Sequence, residues 1–273
     1  MNVLNSMPEP LLSIFIFAAG LALGSFLNVC IYRMPTGKSV VTPGSRCPGC
    51  GVAIRWYQNI PVLSWLLLAA KCANCRCAIS WRYPMIELFS GGLVLASWLF
   101  FGASVEFLIA TPFTLGLLVL FFTDFDQQLL PDAITITGLA AGLAAAWFNP
   151  FLGPVEGWPR LIAAISGAAL GAGVLWGIGA LYEKIRGVEA MGMGDVKMMG
   201  MVGALTGPSG VFFTIFGASL VGAAWGLLMI PLRGRSLQDT LPFGCFLAPA
   251  SLAALLIGRQ AVEAYFQILV PGP

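Results

Sequence analysis

The chain has 273 residues, of which 58% are hydrophobic and only 10% charged, and its mean hydropathy is +0.88. A soluble domain carries about 25% charged residues, so an ordinary soluble enzyme is excluded and a polytopic membrane protein is implied. The formal net charge of +2 says little by itself, its distribution being what gives the topology, and no nucleic-acid partner is expected. With no histidine at all, the Ser-His and Cys-His nucleophile systems, HExxH metalloproteases and the intramembrane serine dyad are closed off.

The first apolar run, Leu11 to Tyr32, follows a leader, MNVLNSMPEP, that contains Glu9 and no positive charge. A signal peptide needs a basic n-region, so this run reads as a retained first span. About fifty polar residues follow, 34–84, the only substantial soluble segment. A piece this small usually needs a staple, and Cys47-Pro-Gly-Cys50 and Cys72-Ala-Asn-Cys75 can provide one. Paired CxxC knuckles suit tetrahedral zinc, because each short turn offers two thiolates to one ion. Two disulfides are the alternative, disfavoured where thiols stay reduced. With Cys47, Cys50, Cys72 and Cys75 as ligands no coordination position stays open, so the metal is expected to be structural. Cys77, two residues beyond Cys75, can substitute as a ligand. Cys30 and Cys245 lie in or beside apolar runs and read as packing residues.

Further spans are expected at Met85 to Phe101, Phe107 to Phe122, Ala133 to Phe148, Leu161 to Tyr182, Val211 to Leu232 and Phe243 to Leu269. A helical span takes roughly 20 apolar residues. Val196 to Thr206 is too short and reads as a half-helix or tilted segment. Seven spans result, or eight with the short one. The 33 glycines fit close helix packing in lipid. If eight crossings are drawn, twelve of the fourteen Lys and Arg residues fall on one side: Arg33, Lys38, Arg46, Arg55, Lys71, Arg76, Arg82, Lys184, Arg186, Lys197, Arg233 and Arg235. Only Arg160 and Arg259 fall on the other. The positive-inside rule then puts the N-terminus outside and the cysteine-bearing loop in the cytoplasm.

Two acidic sites remain, TDFDQQLLPD (Thr123 to Asp132) and GMGD (Gly192 to Asp195), both at the ends of apolar stretches on the cytoplasmic side. Carboxylates beside membrane spans are costly and mark function unless a partner explains them. Without histidine, hydrolysis is left to a Ser-Lys pair or two carboxylates. Lys197 is the only lysine near a site, and no serine is close to it in sequence. Two carboxyl groups sharing one proton can act together, the ionised one taking a proton from water while the neutral one donates to the scissile carbonyl oxygen. Gly192 and Gly194 would allow backbone conformations and close approaches barred to larger residues. Asp195 opens the following helix, where capping and catalysis are compatible. Asp132 follows Pro131 and reads as an N-cap. Asp124 and Asp126 lie about 200° apart around a helix, so only one faces a given partner; spacing leaves open which. Glu87, early in the second span, reads as a carboxylate facing the helix dipole.

In order and spacing these segments resemble the type IV prepilin peptidases, the GxGD aspartyl proteases of bacterial inner membranes. The matching pieces are GSFLNVCIYRMP (Gly24 to Pro35), the four cysteines, NIPVLSW (Asn59 to Trp65), RYPMIE (Arg82 to Glu87), TDFDQQLLPD, EAMGMGDVKMMGMVGA (Glu189 to Ala204) and LPFGCFLAPA (Leu241 to Ala250). The resemblance implies Asp124 and Asp195 as the catalytic pair, leaving Asp126 and Asp132 as solvated, capping or substrate-positioning residues. It implies cleavage of a basic leader from type IV prepilins or type II secretion pseudopilins after a glycine. It also implies methylation of the new N-terminus with S-adenosylmethionine, although no adenosylmethionine fingerprint is visible. For Glu87 the resemblance adds, as an equal alternative, a contribution to methyl transfer.

The expected protein is therefore all-α, with about eight transmembrane helices in an inner-membrane lipid environment and a small zinc-ribbon-like cytoplasmic loop domain. Its expected divisions are a first span (1–33), a tetracysteine domain (34–84) and a transmembrane peptidase domain (85–273). Two other classes compete. A proton-coupled transporter would place its acids near the midplane and show an internal repeat. A zinc-ribbon membrane adaptor would use its aspartates only as caps.

Overall fold

A computed structural model describes residues 9–188, 191–233 and 242–258. Among these residues the eight α-helices are α1 (Glu9–Arg33), α2 (Leu63–Leu67), α3 (Arg82–Phe101), α4 (Val105–Gln127), α5 (Asp132–Ala145), α6 (Trp158–Arg186), α7 (Met193–Arg233) and α8 (Gly244–Ala253). Among the described residues there is no β-strand, only two isolated antiparallel bridges, Arg46 with Ala53 and Lys71 with Ala78. The all-α expectation holds. Among the described residues five helices are long and apolar enough to cross a membrane, and the shorter apolar segments Asp132–Phe148 and Gly244–Ile257 lie at two further expected spans. The expected span Phe243 to Leu269 is described only to residue 258, and Arg235 and Arg259 lie outside the described residues.

The chain forms two compact units, Met1–Leu115 and Gly116–Pro273. In the first, α1 packs along α3 through glycines. A Cβ on Gly20 would lie 2.8 Å from Gly91 Cα, and one on Gly24 would lie 2.7 Å from Glu87 Cα. Lipid supplies no hydrophobic force between helices, so backbone approach at small residues provides the dispersion contacts that hold them.

In the second unit α6 crosses α7 where Gly167 and Gly203 face each other so closely that a Cβ on either would strike the other's backbone. Helix α7 is broken at Gly207 (φ 69°, ψ −174°), just before Pro208. A proline lacks the N–H of the helical ladder, and only glycine readily adopts the preceding positive φ. Val196 to Thr206 is thus the first half of a broken helix and Val211 to Leu232 the second. Carbonyls released at such a break need new donors in an apolar setting. The fully buried Asn149 supplies one, its Nδ2 donating to Leu205 O at 2.9 Å while its Oδ1 accepts from Phe151 N–H at 3.0 Å.

Candidate active site

The polar segment of the first unit is organised by its cysteines. In each knuckle the first cysteine closes a tight turn: Cys47 N–H donates to Val52 O at 3.0 Å, and Cys72 N–H to Cys77 O at 2.9 Å. The residue after each second cysteine takes a positive φ, 70° at Gly51 and 60° at Arg76. The two turns are thus near copies, each flanked by one isolated bridge. They bring the Sγ atoms of Cys47, Cys50, Cys72 and Cys75 within 4.8 Å of one another, a donor set with the softness and number that zinc prefers. Backbone N–H groups of Cys50 and Gly49 pull the Cys47 thiol down to about 6, so it is mostly thiolate at neutral pH, the form that binds metal. Cys77 is not set apart: its Sγ lies 3.5 Å from Cys47 Sγ, against 3.8 Å for Cys75.

Of the two readings of Glu87, the structure overturns the one that faces it to the helix dipole. Helix α3 begins at Arg82, so Glu87 is past the first turn, beyond the reach of the helix dipole. It is buried, and its Oε2 accepts the Val62 N–H at 2.7 Å. Val62 is the centre of a γ-turn (φ 60°, ψ −50°) closed by Leu63 N–H onto Pro61 O, a strained backbone for a β-branched residue. The buried carboxylate holds that turn in place. Around it lies a cavity of about 760 Å³, whose wall includes Asn28, Asn59, Trp65, Tyr83 and Glu87.

Both acidic motifs belong to the second unit. The end of α4 turns Asp124 inward, 5% exposed, and Asp126 to the exposed side, as their angular spacing requires. Asp124 Oδ2 accepts the Cys245 N–H at 2.9 Å. Gly244 leaves room for this contact: a Cβ there would lie 2.9 Å from Asp124 Oδ2 and 3.2 Å from Leu130 Cδ2. Leu130 also touches the second motif, since a Cβ on Gly194 would lie 3.0 Å from Leu130 Cβ. Three segments distant in sequence therefore meet around Leu130. Gly194 is needed for close approach, whereas neither it nor Gly192 takes a positive φ, so the expected unusual backbone is not used.

Asp195 lies in the first turn of α7, half-buried, directly after the Gly194 that meets Leu130, the same residue that lies beside Gly244 and the Asp124 carboxylate. Its Oδ1 is buried and makes no hydrogen bond among the described residues. A capping aspartate spends its oxygens on backbone N–H groups; this oxygen is unspent.

Asp132 is not the expected N-cap. Pro131 occupies that position with no side-chain cap, and the Asp132 carboxylate grips Lys197 Nζ through both oxygens, at 2.7 and 2.9 Å. The lysine of the Ser-Lys alternative is thereby held as the cation of an ion pair. Cys245, read as a packing residue, is indeed buried, but its main-chain amide also steadies Asp124. The sequence signal was the LPFG segment, where glycine permits the contact; the donor itself is backbone and has no side-chain signature.

Residues 18–101 match a family profile described as the bacterial peptidase A24 N-terminal domain, and residues 111–227 one described as the type IV leader peptidase family. The chain is 36% identical over 272 residues to a prepilin leader peptidase/N-methyltransferase of Pseudomonas putida, covering 92% of each protein. It is likewise 36% identical to the protein of that name from Pseudomonas aeruginosa, covering 91% of each. A third such protein, from Dichelobacter nodosus, is 33% identical, with 95% of this chain and 96% of that protein covered. No solved structure matches the chain. Coverage of this extent, running through both acidic motifs and the cysteine loop, places the chain in the type IV leader peptidase family.

Proposed function

We propose that this chain is an inner-membrane aspartyl endopeptidase that removes the basic leader of type IV prepilins and pseudopilins after a glycine, then methylates the new N-terminal amine. Asp124 and Asp195 form the catalytic dyad. The observation that carries this reading is the buried Asp195 Oδ1, without a hydrogen bond among the described residues, beside the Leu130 junction at which Asp124 is held by the Cys245 amide.

Two carboxyl groups brought within reach of one another are more stable sharing one proton than both ionised. The ionised carboxylate takes a proton from water as that water attacks the scissile carbonyl, and the neutral carboxyl donates to the carbonyl oxygen. Collapse of the tetrahedral species then expels the amine, which takes up a proton, and no covalent enzyme intermediate forms. Positive-inside placement of the basic residues favours a periplasmic N-terminus and a cytoplasmic cysteine loop, with both aspartates at the cytoplasmic boundary. A basic leader would stay in the cytoplasm while the prepilin's apolar helix lies in lipid, which brings the scissile bond to that boundary. Residues 34–84 would serve as a zinc-stabilised domain between the first span, 1–33, and the peptidase region, 85–273. Cys47, Cys50, Cys72 and Cys75 would hold the ion, whose contribution is structural. About eight crossings are in keeping with this topology.

The purified chain, incubated with a synthetic prepilin and read by mass spectrometry, should release the leader and, on addition of S-adenosylmethionine, add one methyl group to the mature product. An intact substrate would overturn the peptidase reading; cleavage without methyl transfer would overturn only the second activity.

For the methyl donor, the cavity around Glu87 has suitable size and chemistry. Ligand pockets commonly span about 300–1,000 Å³. The wall pairs aromatic rings, Trp65 and Tyr83, with a carboxylate and the amides of Asn28 and Asn59. A nucleoside calls for such a set: a stacking face for adenine and acceptors for the ribose hydroxyls. S-adenosylmethionine would supply an electrophilic methyl group; the residues here would bind and orient it. Replacing Glu87 with Gln exchanges a charged acceptor for a neutral amide. Hydrogen bonds to charged groups contribute about 1.5–3 kcal/mol, so Glu87→Gln should weaken calorimetric binding of S-adenosylhomocysteine roughly 10- to 100-fold while leader removal persists. Unchanged binding would move the donor site elsewhere.

The Gly244 contact gives a test of dyad positioning. Gly244→Ala adds a methyl group where Asp124 Oδ2 and Leu130 now lie, so the carboxylate must shift. Displacement by about 1 Å can cost 10²-fold in rate; kcat for leader cleavage should fall by about that factor with KM little changed. An unaffected kcat would show that Asp124 does not act from this position.

A further inference from the structure

A second polar site lies in the unit that carries the aspartates, built where α6 begins and α7 is broken. A cavity of about 320 Å³ is walled there by residues including Gly153, Arg160, Thr206, Gly207 and Ser209. Arg160 is only 5% exposed. Its Nε donates to Gly153 O at 2.8 Å. Its Nη1 is buried and makes no hydrogen bond among the described residues; it is ion-paired at 3.5 Å with Glu156, whose side chain is 74% exposed to solvent. A single ion pair too long for a hydrogen bond, to a solvent-exposed carboxylate, compensates a buried guanidinium only in part, and a further acceptor would be favoured there.

Two helix N-termini flank this arginine. Helix α6 starts at Trp158 with Pro159 in its first turn, and the second half of α7 starts just after Gly207. Helix N-termini carry partial positive charge and free N–H groups and favour anions, phosphate above all. A planar guanidinium adds two-pronged recognition of phosphate oxygens. The surroundings point to the source of that phosphate. Trp147 and Trp158 meet edge to face at 5.8 Å, and Trp158 and Phe148 are 67% and 64% exposed. Exposed aromatic residues at the ends of apolar helices mark the headgroup level of a bilayer.

We propose that this cavity binds the phosphate group of an anionic phospholipid, with Arg160 as its principal ligand and Ser209 lining the same pocket. Free phosphate shares this chemistry, so the test separates the two sources. The full chain is purified in a neutral detergent, and its thermal midpoint and retained lipid, by native mass spectrometry, are measured with phosphatidylglycerol, phosphatidylcholine or inorganic phosphate. Phosphatidylglycerol is expected to bind about tenfold more tightly than phosphatidylcholine and to raise the midpoint by about 2–4 °C, with inorganic phosphate giving no shift at equal concentration.

Arg160→Met should abolish the preference. Because that variant removes a buried group and can fail to fold, Glu156→Gln provides an independent arm. It alters an exposed side chain, removes the nearest negative charge, and should strengthen phosphatidylglycerol binding about two- to threefold, since a nearby exposed charge acts at the level of about 0.2–1 kcal/mol. Equal binding of the two lipids by the unaltered chain, an unchanged preference in folded Arg160→Met, no effect of Glu156→Gln, or an inorganic-phosphate shift equal to that of the lipid would each overturn the proposal.

Discussion

Asp124→Asn and Asp195→Asn should each abolish leader removal while leaving protein yield, thermal midpoint and zinc content unchanged. Asparagine keeps the shape of aspartate and its capacity to accept hydrogen bonds, so the Cys245 N–H that now meets Asp124 at 2.9 Å retains an acceptor. What is lost is the titratable proton. Positioned acid-base transfer contributes typically 10²–10⁴-fold, and a dyad needs both members, so cleavage by either variant should fall by at least about 10³-fold. Asp126→Asn, on the exposed side of the same helix end, should retain most activity.

The same three variants separate the competing classes. An adaptor that uses aspartates as caps would tolerate asparagine, which caps as well as aspartate. A proton-coupled carrier would lose transport rather than proteolysis, and its acids would be expected near the middle of the spans; Asp124 and Asp195 lie within a turn of a helix end. Normal processing by both Asp124→Asn and Asp195→Asn would refute the dyad.

Much of this architecture is legible in the sequence because the bilayer makes the code simple. Apolar runs of fixed length give the helices, and the glycine-proline pair at 207–208 marks the break that separates Val196 to Thr206 from the run behind it. Asp124 and Asp126 illustrate a partial reading. The 3.6-residue period says they face apart, whereas which of them faces inward depends on what packs beside α4. Contacts between distant segments are not legible at all. Asp132 and Lys197 are 65 residues apart, and a local pattern made the former a cap. Glu87 lay outside the dipole's reach because α3 begins three residues earlier than the apolar run, at Arg82. The donor that fixes Asp124 is a backbone amide, and every non-proline residue has one. Only Gly244 hints at it. Arg160 entered the sequence reading solely as a charge on the minority side, since its burial depends on where α7 breaks.

Cys75→Ser should keep zinc at about one equivalent per chain, whereas Cys47→Ser and the double variant Cys75→Ser/Cys77→Ser should lose it. Zinc–thiolate bonds of about 2.3 Å in a tetrahedron put ligand sulfurs roughly 3.8 Å apart. Cys47 Sγ is 3.8 Å from Cys75 Sγ and 3.5 Å from Cys77 Sγ, so either sulfur can complete a site begun by Cys47, Cys50 and Cys72. Cys47 has no such deputy. It is the most buried of the five loop cysteines, and the backbone N–H groups of Cys50 and Gly49 already favour its thiolate. Apparent zinc affinity in small structural sites is about 10–16 kcal/mol near neutral pH and is coupled to folding. Losing the ion should therefore expose residues 45–79 to limited proteolysis. With no large core to fall back on, the loop should loosen before the aspartates in the other unit lose their proton chemistry. The cysteine variants that lose zinc should accordingly lose methyl transfer first and keep residual leader cleavage. Metal analysis beside the two mass shifts reads all of this in one preparation. Retention of a full equivalent by Cys75→Ser/Cys77→Ser would show that neither sulfur completes the site, and loss of zinc in Cys75→Ser would show that Cys77 does not substitute.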